Sequence, residues 1–184
     1  MTNVYRAITH PPLVPFPKLR ILWPHDLKSH FQMGIGIRSL AVFLECREMP
    51  VLKLLQFNYL HRTYLTPDRL HGIFPTVSPD CPRCLVSTAD FLHMAWACPV
   101  IQTFWAAVCE PLTTVTCHSH FLTPQACLLG LLPHPKQDKE GSKIIDLVTA
   151  LAKRAIGMHW KSPTSPAVSV WKTEVYSWAV LEDA

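Results

Sequence analysis

The chain has 184 residues, 49% of them hydrophobic, with seven cysteines and a formal net charge of +4. That suffices for one ordinary domain plus a tail, or for two small subdomains, while a charged fraction of 16% is well below the usual quarter and implies surface covered by a partner or by another part of a larger protein. There is no basic tail, run of like charge, secretory signal or apolar stretch of spanning length, so the expectation is an intracellular protein, nuclear or cytoplasmic, neither secreted nor in a membrane, whose reduced cysteines are metal ligands or buried residues rather than disulfides.

Prolines punctuate the chain into short elements. Pro11, Pro12, Pro15, Pro17 and Pro24 forbid a long helix near the start, so residues 1–45 read as a poorly ordered lead. From Pro50 to Thr63 the residues are apolar nearly all round, the pattern of a buried helix. Thr66-Pro67-Asp68 is a helix start, with Thr as N-cap and Pro in the first turn, and that helix ends near Gly72. A turn-rich loop from Pro75 to Pro82 follows. Ser87 or Thr88 is expected to cap a helix carrying Phe91, Leu92, Ala95 and Trp96. Pro99 closes it and opens another through Phe104, Trp105 and Val108. Residues 113–121 read as a polar loop, and Thr123-Pro124 repeats the cap-plus-proline start. His134 to Gly141 reads as a solvated linker, after which Ser142 caps a longer helix through Ile156 to Trp160. Ser162 to Pro166 is a hinge before a final helix with Val168, Trp171, Val175 and Trp178. The expected fold is mainly α. A lead (1–45) precedes a small helical domain built around one zinc knuckle-like turn (46–132), a linker (133–141) and a C-terminal helical pair (142–184). The last two helices are expected to pack through Leu151, Ile156, Trp160, Trp171 and Trp178.

The chemistry concentrates in one place. Cys81 and Cys84 are separated by two residues, and eight residues then lead to His93 and four more to Cys98. A two-residue gap lets a tight turn aim two sulfurs at one ion, and thiolate plus imidazole is a common structural zinc set. His93 and Cys98 align poorly on an ideal helix. Pro99 answers this, because a residue before proline leaves helical geometry, so Cys98 can swing back to the ion. With four protein ligands no coordination position stays open, so the expected Zn(2+) is structural. Cys117, His118, His120 and Cys127 form a weaker set, more simply read as buried small residues and loop histidines. No catalytic residue is expected: Cys109 with His118 or His120 could mimic a thiol–histidine pair, but nothing orients the histidine.

Several phrases resemble the C-terminal region of LINE-type, non-LTR retrotransposon reverse transcriptases. They are KLLQFNYLHRTYLTPDRL from Lys53, CPRC at 81–84, FLHMAWACP at 91–99, FW at 104–105, LLGLLP at 128–133, AKRAIGMHWKSP at 152–163 and WKTEV at 171–175. Trp23-Pro24-His25-Asp26-Leu27 resembles a degraded form of an upstream segment, and the likeness runs from about 50 to 182. It implies a Cys-Cys-His-Cys module, with ligands Cys81, Cys84, His93 and Cys98, that follows a polymerase and helps it bind template RNA or target DNA. No polymerase Asp-Asp motif is present.

The residues themselves offer Tyr59, His61, Arg62, Tyr64, Arg69 and His71 just before the metal-ligand cluster, with Arg83 inside it. Aromatic rings stack on bases and arginine pairs with phosphate. Arg62, Tyr64, Arg69 and Arg83 are therefore the candidate nucleic-acid contacts, and RNA or DNA the expected partner, with a retroelement polymerase as a possible second. No membrane or small-molecule substrate is expected. The alternatives are a protein-interaction piece, which low charge and six tryptophans would suit, and a translated retroelement fragment without function.

Overall fold

The computed structural model describes residues 50–86, 88–116, 123–131 and 139–182. Seven helical segments and no strand form among the described residues, the expected mainly α class. The expected lead, 1–45, lies outside them, as do residues 132–138 of the expected linker.

Helix α1 spans Pro50–Leu60 and buries Leu52, Leu55, Gln56, Tyr59 and Leu60. The expectation of burial all round is corrected: Val51 is 64% and Leu54 42% exposed, so one face packs and the other does not. The helix closes on Arg62, whose φ of 51° is left-handed. The Thr63 N–H donates to the Asn58 carbonyl at 3.0 Å and the Arg62 N–H to the Tyr59 carbonyl at 3.2 Å. These are the paired bonds that end a helix on a left-handed residue.

Helix α2, Pro67–Ile73, starts where expected, with the Thr66 side chain accepting from the Arg69 N–H. A π-helical turn at His93–Ala97 leads into α3, Pro99–Thr116. This helix runs through Pro111 and into the expected polar loop. Burial of Cys109 and Leu112 holds the chain helical where a proline would break an isolated helix. Helix α4, Pro124–Leu129, has Thr123 as cap, and Gly130 ends it at φ 69°. Helix α5, Lys139–Met158, begins before Ser142, which is therefore inside the helix rather than its cap. Helix α6 spans Val168–Glu182.

One buried cluster joins these elements, from Leu52 of α1 through Phe104 and Trp105 of α3 to Leu151 and Ile156 of α5 and Trp171 of α6. Helix α5 is its axis and packs on α1, α3, α4 and α6. The expected C-terminal pair thus shares its core with the metal-binding half. Trp171 donates from Nε1 to the Val148 carbonyl at 3.3 Å, and Arg154 of α5 pairs with Glu174 of α6. Trp160, expected to face the last helix, packs elsewhere. Its ring lies 4.7 Å from Tyr64 and 5.7 Å from Phe91, and its Nε1 donates to the Leu65 carbonyl at 2.8 Å. Tyr59 completes this four-ring group, edge-on to Phe91 at 5.5 Å and to Tyr64 at 5.6 Å.

Candidate metal centre

Cys81, Cys84, His93 and Cys98 converge, with all four ligand atoms within 4.8 Å of one another. The two elements that bring them together are built by local chemistry. In the first, the Leu85 N–H donates to the Cys81 carbonyl and the Cys81 N–H to the Val86 carbonyl, each at 2.9 Å. This folds Cys-Pro-Arg-Cys into a knuckle, and Leu85 closes it at φ 58°. In the second, Asp90 rather than Ser87 or Thr88 caps the turn: its Oδ1 accepts from the His93 N–H at 2.7 Å and its carbonyl from the Met94 N–H at 3.0 Å. Ser87 lies outside the described residues, and Thr88 is left-handed at φ 58°.

Between His93 and Cys98 the backbone makes a π turn, with the Cys98 N–H donating to the His93 carbonyl at 2.9 Å. Five residues on an α-helix advance by about 140° beyond full turns, which would separate the two side chains. Bonding from i to i+5 widens the turn to about that length and returns Cys98 to the His93 side. Cys98 itself is extended, at φ −60° and ψ 127°, as expected of a residue before proline. The proline release was legible in the sequence; the π turn was not.

The spacings suit a tetrahedral ion. Cys81 Sγ and Cys98 Sγ are 3.8 Å apart, and tetrahedral zinc–sulfur bonds of about 2.3 Å would place two sulfurs about 3.8 Å apart. Cys84 Sγ lies 3.3 Å from His93 Nε2. Cys81 and Cys98 are fully buried, Cys84 and His93 partly.

The electrostatics split the thiols. Burial pushes Cys81 up, but backbone N–H groups of Cys84 and Arg83 and the neighbouring thiols hold it below its ordinary value. Burial pushes Cys98 up to about 11, although N–H groups of Ile101 and Val100 at the start of α3 oppose this. Burial lowers His93, against the opposing pull of Asp90, and so favours the neutral imidazole a metal needs. Three clustered thiols that cannot all ionise alone are what a divalent cation resolves. The donor set therefore fits a metal ion.

The candidate nucleic-acid contacts are placed as follows. Arg62 is 7% exposed, its guanidinium 5.9 Å from the centre of the Phe91 ring. Arg83 is 8% exposed and donates inward to the carbonyls of Met94 (2.9 Å), His159 (2.9 Å) and Trp160 (3.3 Å). Burial lowers the Arg83 pKa, against negative charge on Cys81, Cys98, Tyr59 and Cys84. Tyr64 is half-buried within the four-ring group, and Arg69 is exposed with Nη1 donating to the Arg62 carbonyl. Two of the four thus face the interior. Of the weaker metal set, Cys127 lies in the core with its Sγ 3.8 Å from Cys109 Sγ, while Cys117, His118 and His120 lie outside the described residues. No helix among the described residues is long and apolar enough to cross a membrane. No family model matches the chain.

Proposed function

We propose that Zn(2+) occupies the Cys81, Cys84, His93, Cys98 centre as a structural ion, and that the chain is a non-catalytic, nucleic-acid-binding accessory module derived from the tail of a LINE-type reverse transcriptase. One observation carries this reading: the phrases that hold the resemblance pack onto one another around the metal centre. Arg83 of CPRC bonds to Met94 of FLHMAWACP and to His159 and Trp160 of AKRAIGMHWKSP. Tyr59 and Leu65 of the first phrase bond to the carbonyl of Lys153 and to the ring nitrogen of Trp160. Four protein ligands leave no open coordination position, which argues for structure over metal catalysis.

The nucleic-acid surface in this reading runs from Arg69 to Lys161. Both are exposed, and the Leu65–Trp160 hydrogen bond joins their segments. Arg62 and Arg83 then act as internal supports. Each lost phosphate contact flattens the salt dependence of binding by roughly one unit on duplex DNA and somewhat less on single strands. The test is a salt titration with single-stranded RNA, comparing the zinc-loaded chain with Arg69→Ala/Lys161→Ala. A lower affinity and a flatter slope are expected; identical curves overturn this surface. The protein-interaction reading is favoured by a separate observation, the exposed apolar side chains of Leu85 and Val86 at the knuckle and of Ile73, Phe74 and Val77 before it in sequence, and takes precedence if no salt-dependent binding occurs.

A further inference from the structure

A buried guanidinium needs a negative charge nearby, and among the described residues Arg83 is paired with no carboxylate. Its hydrogen bonds among the described residues all go to neutral backbone carbonyls, and its Nε is buried without a partner there. Burying a charge on such terms is strongly unfavourable unless a counter-charge lies close. The metal centre can supply one, since Met94, whose carbonyl takes Nη1, directly follows the ligand residue His93. Three thiolates and a neutral imidazole on a divalent cation carry a formal charge of about −1. Arg83 sits in the knuckle between two of the ligands.

The bonds Arg83 makes also link three separate pieces of chain. Met94, whose carbonyl takes Nη1, lies in the π turn that carries His93 and leads to Cys98. His159 and Trp160, whose carbonyls take Nη2, are the residues directly after α5. Carbonyls at a helix C-terminal end carry partial negative charge and favour a cation. Resting on the zinc reading above, we infer that Arg83 is the counter-ion of the metal centre and couples metal occupancy to docking of the C-terminal end of α5. With no cation bound, the guanidinium loses its counter-charge and its hold on residues 159 and 160. Loss of metal would therefore loosen Trp160 and the ring group around it while the distant α5–α6 contact at Trp171 persists longer.

Arg83 acts through the ligands, so the test needs a readout that plain structural support would not move. In the cobalt-substituted protein, a positive charge near the thiolates stabilises their electrons and raises the energy of the sulfur-to-cobalt band. Arg83→Met should shift that band to lower energy and weaken zinc about 10- to 100-fold in competition with a chromophoric chelator, as loss of an outer-shell partner does. Arg83→Lys should restore the band position while leaving amides 156–162 less protected from hydrogen exchange than in wild type. In wild type, chelating zinc should speed exchange at 156–162 before it does so at 168–175.

An unshifted band and zinc affinity within twofold of wild type in Arg83→Met would overturn the counter-ion role, as would a Lys variant that behaves like Met. If Arg83→Met does not fold, Arg83→Lys and the wild-type exchange experiment decide. Unchanged exchange at 156–162 after chelation overturns the coupling. A wild-type chain that binds neither zinc nor cobalt would instead strike the zinc reading on which this rests.

Discussion

Tyr59→Phe tests whether α1 and α5 meet as described. The Tyr59 hydroxyl is fully buried and donates to the Lys153 carbonyl at 3.0 Å across 94 residues of sequence. Phe keeps the ring, and with it the edge contacts to Tyr64 and Phe91, so the substitution isolates the hydroxyl. The Lys153 carbonyl then loses a donor in a place water does not reach, which costs about 1–2 kcal/mol. For a chain of this size that lowers Tm by about 2–4 °C per kcal/mol. The effect also has a pH signature. Burial, reinforced by Tyr64 and only partly opposed by Arg83, holds the Tyr59 pKa well above 10. A group whose folded pKa is raised gives stability that is full below its unfolded pKa and lost as pH rises through the folded one. Wild type should therefore lose stability above about pH 10 partly through this phenol, and Tyr59→Phe should lose less. Urea unfolding of zinc-loaded wild type and variant at pH 8 and pH 11, followed by circular dichroism, measures both. Tyr176→Phe, at a ring 74% exposed, is the control and should change stability by less than about 0.5 kcal/mol. A Tyr59→Phe protein as stable as wild type at pH 8, or a gap between them that does not shrink by pH 11, would refute the buried hydrogen bond.

Three further outcomes follow from the site and its supports. Purified chain should hold about one zinc, and Cys84→Ser or His93→Ala should lose the ion and much of its helicity, because metal binding and folding are linked; full zinc content by elemental analysis in Cys84→Ser would exclude the assignment. Leu85→Gly should raise the urea midpoint of the zinc-loaded chain by about 0.5–1 kcal/mol of stability, since Leu85 is left-handed and 78% exposed and glycine relieves that backbone strain of about 1–2 kcal/mol at some entropic cost. Gly157→Ala should destabilise despite a helix-propensity gain of about 1 kcal/mol, because the new Cβ would stand 2.6 Å from the Tyr64 hydroxyl and displace a ring whose contacts to Tyr59 and Trp160 are worth about 0.5–1.5 kcal/mol each; a higher Tm would show that Tyr64 yields freely.

The parts of the fold that were legible in the sequence are those specified by neighbours along the chain. Thr66-Pro67 and Thr123-Pro124 announce α2 and α4 because a hydroxyl cap and a proline need only the next three residues to act. The ligand set was legible because its spacing is itself the signal. The features that escaped are those decided by distant contacts. Helix α3 passes through Pro111 because Cys109 and Leu112 are buried, and the exposed face of α1 depends on where α5 lies. The π turn was hidden because i to i+4 and i to i+5 bonding leave the same residue pattern.

Arg83 is the sharpest case. In sequence, an arginine beside aromatic residues and metal ligands reads the same whether it meets phosphate outside or carbonyls inside. Its five N–H donors can serve either set of acceptors, and no local pattern distinguishes them. What decides is the convergence of three carbonyls from residues 94, 159 and 160, separated from Arg83 by up to 77 positions. On the proposed reading, three zinc-bound thiolates would supply the counter-charge for this inward placement. On that reading, the carbonyls alone would not replace the hydration of the guanidinium, and the metal centre completes its environment.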